Sequence, residues 1–171
     1  MRSTLVELIS YLKKPILEKD ENTNFIYRVT KLIQLIFICF FTTIIITIAT
    51  SFIEATGLLE LGRHSITDIL ESSSNLKFFL LAVVFAPLLE EVIFRGPLVL
   101  VKSKKYFKPV FYVVAFLFGY IHITNYELTT SVILFSPLLI APQAIVGLYL
   151  GFIRIRFGLL WSILLHAGYN G

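Results

Sequence analysis

The stretch Ala86-Pro87-Leu88-Leu89-Glu90-Glu91-Val92-Ile93-Phe94-Arg95-Gly96-Pro97 sets three ionisable side chains inside an apolar run that extends from about Leu76 to Val101. A run of that length is what a bilayer-crossing helix requires, roughly 20 apolar residues for about 30 Å of hydrocarbon. Each charge at the centre of such a helix costs roughly 2.5 to 3.5 kcal/mol on insertion scales, and such groups are kept where they pair, face a cavity or do chemistry. Glu91 and Arg95 stand four residues apart and share a helix face, so a charge-assisted pair offsets part of both costs. Glu90 lies about a quarter turn away and is left as the free carboxylate, a candidate general base. Pro87 and Pro97 bracket the segment and loosen its backbone, as suits helix ends lining a wet cavity. The competing structural explanation is an ion-pair cluster that only holds helices together.

Outward from this stretch the composition points the same way. Of 171 residues, 57% are hydrophobic and only 15% charged, far to the apolar side of a soluble domain. Further apolar runs extend from Leu32 to Ile53, from Phe107 to Thr124, from Ser131 to Ile153, and from Phe157 onward. The last is roughly 20 Å long at helical rise, short of a full crossing, so it either stops within the membrane or belongs to a longer chain. The fold expected is an all-α membrane protein with about five transmembrane helices plus an N-terminal interfacial helix. Residues 1–31 form the cytosolic and interfacial segment and residues 32–171 one polytopic domain. In the former, Leu5, Leu8, Ile9 and Leu12 recur at helical spacing, with Glu7 and Lys13 off the stripe and Pro15 ending it. That pattern describes either a surface-lying helix or an ordinary packed lead-in. After the first span comes an acidic connection with Glu54, Glu60, Asp68 and Glu71, where Ser65 and Asp68 are expected to cap a short interfacial helix through Ile69 and Leu70. His64 reads as a solvated loop residue there.

The formal charge of +4 does not indicate nucleic acid, because the basic residues flank the apolar runs instead of sharing one patch. Lys13, Lys14, Lys19, Arg28 and Lys31 precede the first span, Lys102, Lys104, Lys105 and Lys108 follow the second, and Arg154 and Arg156 follow the fourth. The other connections carry Glu54, Glu60, Glu71 and Glu127 with few bases, so the positive-inside rule puts the N-terminus in the cytosol. No small-residue cleavage site follows the first run clearly, and the N-terminus is expected to remain in the mature protein. Cys39 has no partner, which excludes a disulfide framework and a cysteine-based metal site.

Two further polar sets interrupt apolar helices. Phe118-Gly119-Tyr120-Ile121-His122 places an aromatic ring and an imidazole one turn apart, and His122 is the expected partner of Glu90 in holding a water. His166-Ala167-Gly168-Tyr169-Asn170 repeats the spacing, and both of its polar side chains can donate hydrogen bonds to an oxyanion. Taken alone, a histidine such as His122 is more often a satisfied hydrogen-bonding residue, and His166 with Asn170 reads equally as interhelical glue. Jointly, on separate apolar helices and each with its own insertion cost, they point to one wet pocket.

The ordered set Glu90-Glu91-x-x-x-Arg95, Phe118-x-x-x-His122 and His166-x-x-x-Asn170 resembles the CPBP family, the type II CAAX prenyl proteases and bacteriocin-processing or immunity membrane proteins also called the Abi family. The stretch from Gly147 through Gly151, Arg154 and Gly158 is similar to it as well, and the protease-like core covers residues 76–171. The resemblance implies a glutamate-dependent intramembrane endopeptidase in a bacterial cytoplasmic membrane. In it Glu90 activates water with His122, Glu91 and Arg95 support, and His166 with Asn170 stabilises the oxyanion. Partners implied are membrane lipid and a peptide or protein substrate, whether a prenylated tail or a bacteriocin-type leader. Family members are often described as metal-dependent, yet the chain has no HExxH helix and its histidines come from separate helices, so no cofactor is required and zinc is not indicated. Were a metal bound, Glu90, His122 and His166 would be its ligands. A proton-coupled transporter would show inverted repeats or broken helices in matching halves, which the sequence lacks. A non-catalytic immunity or scaffold protein of the same fold would tolerate loss of motif residues that are all present here.

Overall fold

In the computed structural model, helix α2 (Phe25–Ala55) turns its apolar side chains outward. Phe37, Phe41, Ile44, Ile45, Ile48 and Phe52 are exposed while Leu35, Ile38 and Cys39 are buried, an arrangement that is stable only with lipid as solvent. The helix begins well before the apolar run at Leu32, because Asn24 Oδ1 accepts the Tyr27 N–H and caps it there. The structure describes residues 1–62, 67 and 73–171. The expected short helix at Ser65, Asp68, Ile69 and Leu70, together with His64 and Glu71, lies outside these.

Helix α1 (Arg2–Lys13) packs on α2 with Thr4, Leu8 and Tyr11 buried, and it leaves Leu5 and Ile9 of the expected stripe exposed. One face packs as a lead-in helix would, and the other is exposed. The Tyr11 hydroxyl donates to Ile16 O at 2.9 Å, and burial pushes its phenol well above the usual range, keeping it a donor.

The expected second span is one broken rod. Helix α3 (Asn75–Phe79) runs into a π turn (Leu80–Phe85) and then α4 (Ala86–Phe94), after which Pro97–Leu100 form a 3-10 turn. From Asn75 to Phe94 the rod is about 30 Å long. Helix α5 (Lys104–Ile121) continues as a 3-10 turn over His122–Asn125. The run from Ser131 divides into α6 (Thr130–Leu134) and α7 (Ser136–Phe157), with Pro137 in the first turn of α7, where a missing N–H is harmless. Helix α8 (Leu159–Asn170) follows α7 after Gly158, whose φ of 109° no L side chain adopts without strain.

Helices α2, α5 and α7 are each long and apolar enough to cross a membrane, and no strand occurs among the described residues. The core centres on α7, which packs on α5, α8 and α2. The α5–α7 crossing is close because Gly119 faces Ala144 and Gly151 faces Phe111, small residues that let two backbones approach.

Candidate active site

Helix α4 carries Glu90 and Glu91 to the place where α8, α5 and α7 meet. Glu91 and Arg95 are both fully buried, with Arg95 Nη1 at 3.2 Å from Glu91 Oε1. On α8, Ser162 Oγ–H donates to Glu91 Oε2, and His166 Nδ1 lies 3.1 Å from Glu91 Oε1. The buried carboxylate thus faces three donors on two helices, which is what a charge without water requires.

The guanidinium of Arg95 is also held at Nη2 and on one face, while its buried Nε has no hydrogen-bond partner among the described residues. Arg95 Nη2 donates to Gly147 O at 3.2 Å, and the guanidinium carbon sits 3.9 Å from the centre of the Phe118 ring. A side chain at Gly147 would come within 3.1 Å of Arg95 Nη2 and of Phe118, so glycine there makes the room. Arg154 Nε in turn donates to Arg95 O at 3.0 Å, a carbonyl that also accepts the Leu98 N–H at 3.3 Å.

Glu90 is placed differently. Its side chain is 31% exposed and its Oε2 stands 3.7 Å from His166 Nε2. Among the described residues that oxygen is buried with no hydrogen-bond partner. Because Nδ1–H of His166 is directed at Glu91, Nε2 is the ring atom presented to Glu90. His122 stands at the end of α5, where Nδ1 lies 2.7 Å from Phe118 O; a carbonyl only accepts, so Nδ1 carries the proton and Nε2 is again the free nitrogen. The Phe118 ring touches both imidazoles, at 4.8 Å from His122 and 5.5 Å from His166. Glu90, His166 and Arg95 are all near enough to His122 to act on its charge. Beside His122 opens a cleft of about 160 Å³ with polar walls from Thr43, Thr47, Asn125 and Gln143.

Asn170, on the same face of α8 as His166, donates from Nδ2 to Ala82 O at 2.9 Å. The reason lies in the π turn. Ala86 N–H bonds Leu81 O, and the next residue in that register is Pro87, which has no N–H to offer Ala82. Asn170 supplies the missing donor.

A model of the family described as type II CAAX prenyl endopeptidase Rce1-like matches residues 72–171. The chain belongs to this family. No curated protein and no solved structure matches it. The CPBP membership read from the motifs therefore stands, and with it an integral membrane protein of a protease family whose substrate is a peptide or protein.

Within this CPBP protein the fold gathers Glu90, Glu91, Arg95, His122 and His166 around Phe118, and Asn170 one turn beyond. His166 Nε2 stands 3.7 Å from Glu90, and His122, which Phe118 also touches, lies within electrostatic reach of the same carboxylate. Ser162 has no place in the sequence reading, although Ser162-x-x-x-His166-x-x-x-Asn170 forms one stripe of α8. A carboxylate and two imidazole nitrogens are suitable zinc donors by type. Among the described residues, however, no three such side chains come close enough together to hold a metal ion, and Glu90, His122 and His166 do not fit one as arranged.

Proposed function

We propose that this chain is an intramembrane endopeptidase in which Glu90 activates a water for attack on a peptide carbonyl. The observation that carries the reading is Glu90 Oε2, buried and without a hydrogen-bond partner among the described residues, facing His166 Nε2 at 3.7 Å above the closed Glu91–Arg95 pair. A water about 2.8 Å from both atoms is held by the two groups best placed to move its protons. As its oxygen attacks the carbonyl carbon, Glu90 takes its proton and delivers it to the departing amide nitrogen. His166, when protonated at Nε2, donates to the oxygen that becomes negative, while its Nδ1–H stays on Glu91. Arg95 holds Glu91 in place. His122 completes the site from the cleft side, and the second N–H of Asn170 remains for the oxyanion. No step runs through a metal.

The substrate class is a peptide entering from the bilayer with its backbone against the polar cleft, and by family name a prenylated CAAX tail is the first to test; a bacteriocin-type leader is the second. The architecture proposed is five crossings or part-crossings by α2, the α3–α4 rod, α5, α7 and α8. The N-terminal segment 1–31 lies at the cytosolic face of a bacterial cytoplasmic membrane, and the protease core occupies 76–171.

Replacing Glu90 with Gln keeps size and hydrogen bonding but removes the base. Purified Glu90→Gln protein is expected to cleave a fluorogenic prenylated peptide at least about 100-fold more slowly, with unchanged helical circular dichroism and membrane insertion. Cleavage at the wild-type rate overturns the assignment.

A further inference from the structure

Far from the catalytic cluster, at the end where α1 and α5 meet, the structure holds a cavity of about 550 Å³. Lys14, Lys102 and Lys104 line it together with Phe107, Ile16 and Leu17. Pro15 ends α1 and turns the chain back over the cavity, and that segment is pinned. Tyr11 Oη–H donates to Ile16 O at 2.9 Å, Asp20 N–H donates to Arg156 O at 3.0 Å, and the Arg156 guanidinium pairs with Asp20 at 3.1 Å. Lys108 Nζ donates to Lys13 O at 3.2 Å and ties α5 to the end of α1. The walls are therefore preformed.

Their charge is unbalanced. Among the described residues none of the ammonium groups of Lys14, Lys102 and Lys104 is paired with a carboxylate, and Glu18 is the one acid in the lining. Lys104 also opens α5, so the positive end of that helix adds to the same sign. Ile16 and Leu17 of the apolar wall are themselves exposed on the outer surface. A cationic cavity with an apolar flank at the end of a membrane bundle has the chemistry of a lipid headgroup site: phosphate toward the lysines, acyl chains along the flank.

We infer that this cavity binds the phosphate headgroup of an anionic phospholipid and anchors the basic end of the bundle to it. On the proposed orientation it sits in the cytosolic leaflet, where anionic lipid meets polybasic segments.

The test uses the full chain in detergent, titrated with phosphatidylglycerol, phosphatidylcholine or inorganic phosphate and read by native mass spectrometry. One phosphatidylglycerol is expected to be retained per chain, with phosphatidylcholine and free phosphate bound far more weakly. The triple change Lys14→Ser, Lys102→Ser and Lys104→Ser is expected to weaken retention about 100-fold, roughly fivefold per lysine, while changing all three to Arg preserves it. Lys102→Ser alone, expected to cost about fivefold, serves if the triple variant does not fold. Equal retention of phosphatidylcholine, free phosphate binding as well as the lipid, or an equal loss on changing the distant Lys77 to Ser would each overturn the inference.

Discussion

Glu91 shows how one buried carboxylate organises its surroundings. Arg95 neutralises it on its own helix, and Ser162 and His166 reach it from α8, so a single charge sets the register of one helix on another. The Glu91–Arg95 pair is legible in sequence because four-residue spacing on a helix dictates it. Ser162 is not: a hydroxyl carries little insertion cost, so nothing marks it as exceptional, and its use depends on how α8 seats against α4. The approach of His166 Nε2 to Glu90 at 3.7 Å is tertiary for the same reason. Ser162→Ala leaves one oxygen of a buried carboxylate short of a donor, at about 1.5 kcal/mol. Since His166 is aimed by the same carboxylate, the substitution is expected to lower kcat about tenfold with KM little changed. Steady-state cleavage of the prenylated peptide by purified Ser162→Ala measures this, and a pure rise in KM would assign Ser162 to substrate binding instead.

Helix breaks do the positioning at the next scale. The π turn over Leu80–Phe85 lies just ahead of the glutamates, and Pro87 leaves Ala82 O for Asn170, so the defect in one helix is closed by the end of another. Apolar runs show where helices exist, but a run is as apolar across a break as within a helix. The divisions at Phe85 and Phe135 are therefore visible only through Pro87 and Pro137, and each proline is equally at home in an unbroken helix's first turn. Close crossing is the other device. A Cβ at Gly119 would fall 2.7 Å from both the backbone nitrogen and the Cβ of Ala144, and backbone cannot yield as a flexible side chain does. Gly119→Ala is thus expected to force α5 and α7 apart, costing about 2 kcal/mol and lowering the thermal midpoint in detergent by roughly 5 °C. Because α5 also carries Phe118 and His122, activity should fall alongside stability. A thermal scan of the purified variant decides it; an unchanged midpoint would mean the crossing is looser than the geometry says.

At the scale of the molecule, charge is sorted by end. Lys108 reaches Lys13 O, Arg156 pairs with Asp20 and approaches Glu7 at 3.7 Å, and Lys31 pairs with Glu7, so the basic segments that sequence places on one side do converge. At the other end, Ser131 Oγ donates to Glu60 O and Glu127 packs against Gly62, joining the acidic connections. This convergence brings the segments before α2 and before α5 to one end of the bundle, and with the positive-inside rule it predicts that both lie on the cytosolic side. Cys39 permits a direct check, because it is fully buried and gives no background to a membrane-impermeant maleimide. Single cysteines at the exposed positions Leu58, after α2, and Lys105, in the first turn of α5, sample the two ends. In intact cells Leu58→Cys is expected to be labelled and Lys105→Cys to be protected until the cells are lysed. The reverse pattern would turn the molecule over in the membrane, moving the lipid-binding end to the outer leaflet while leaving the relation between Glu90 and His166 untouched.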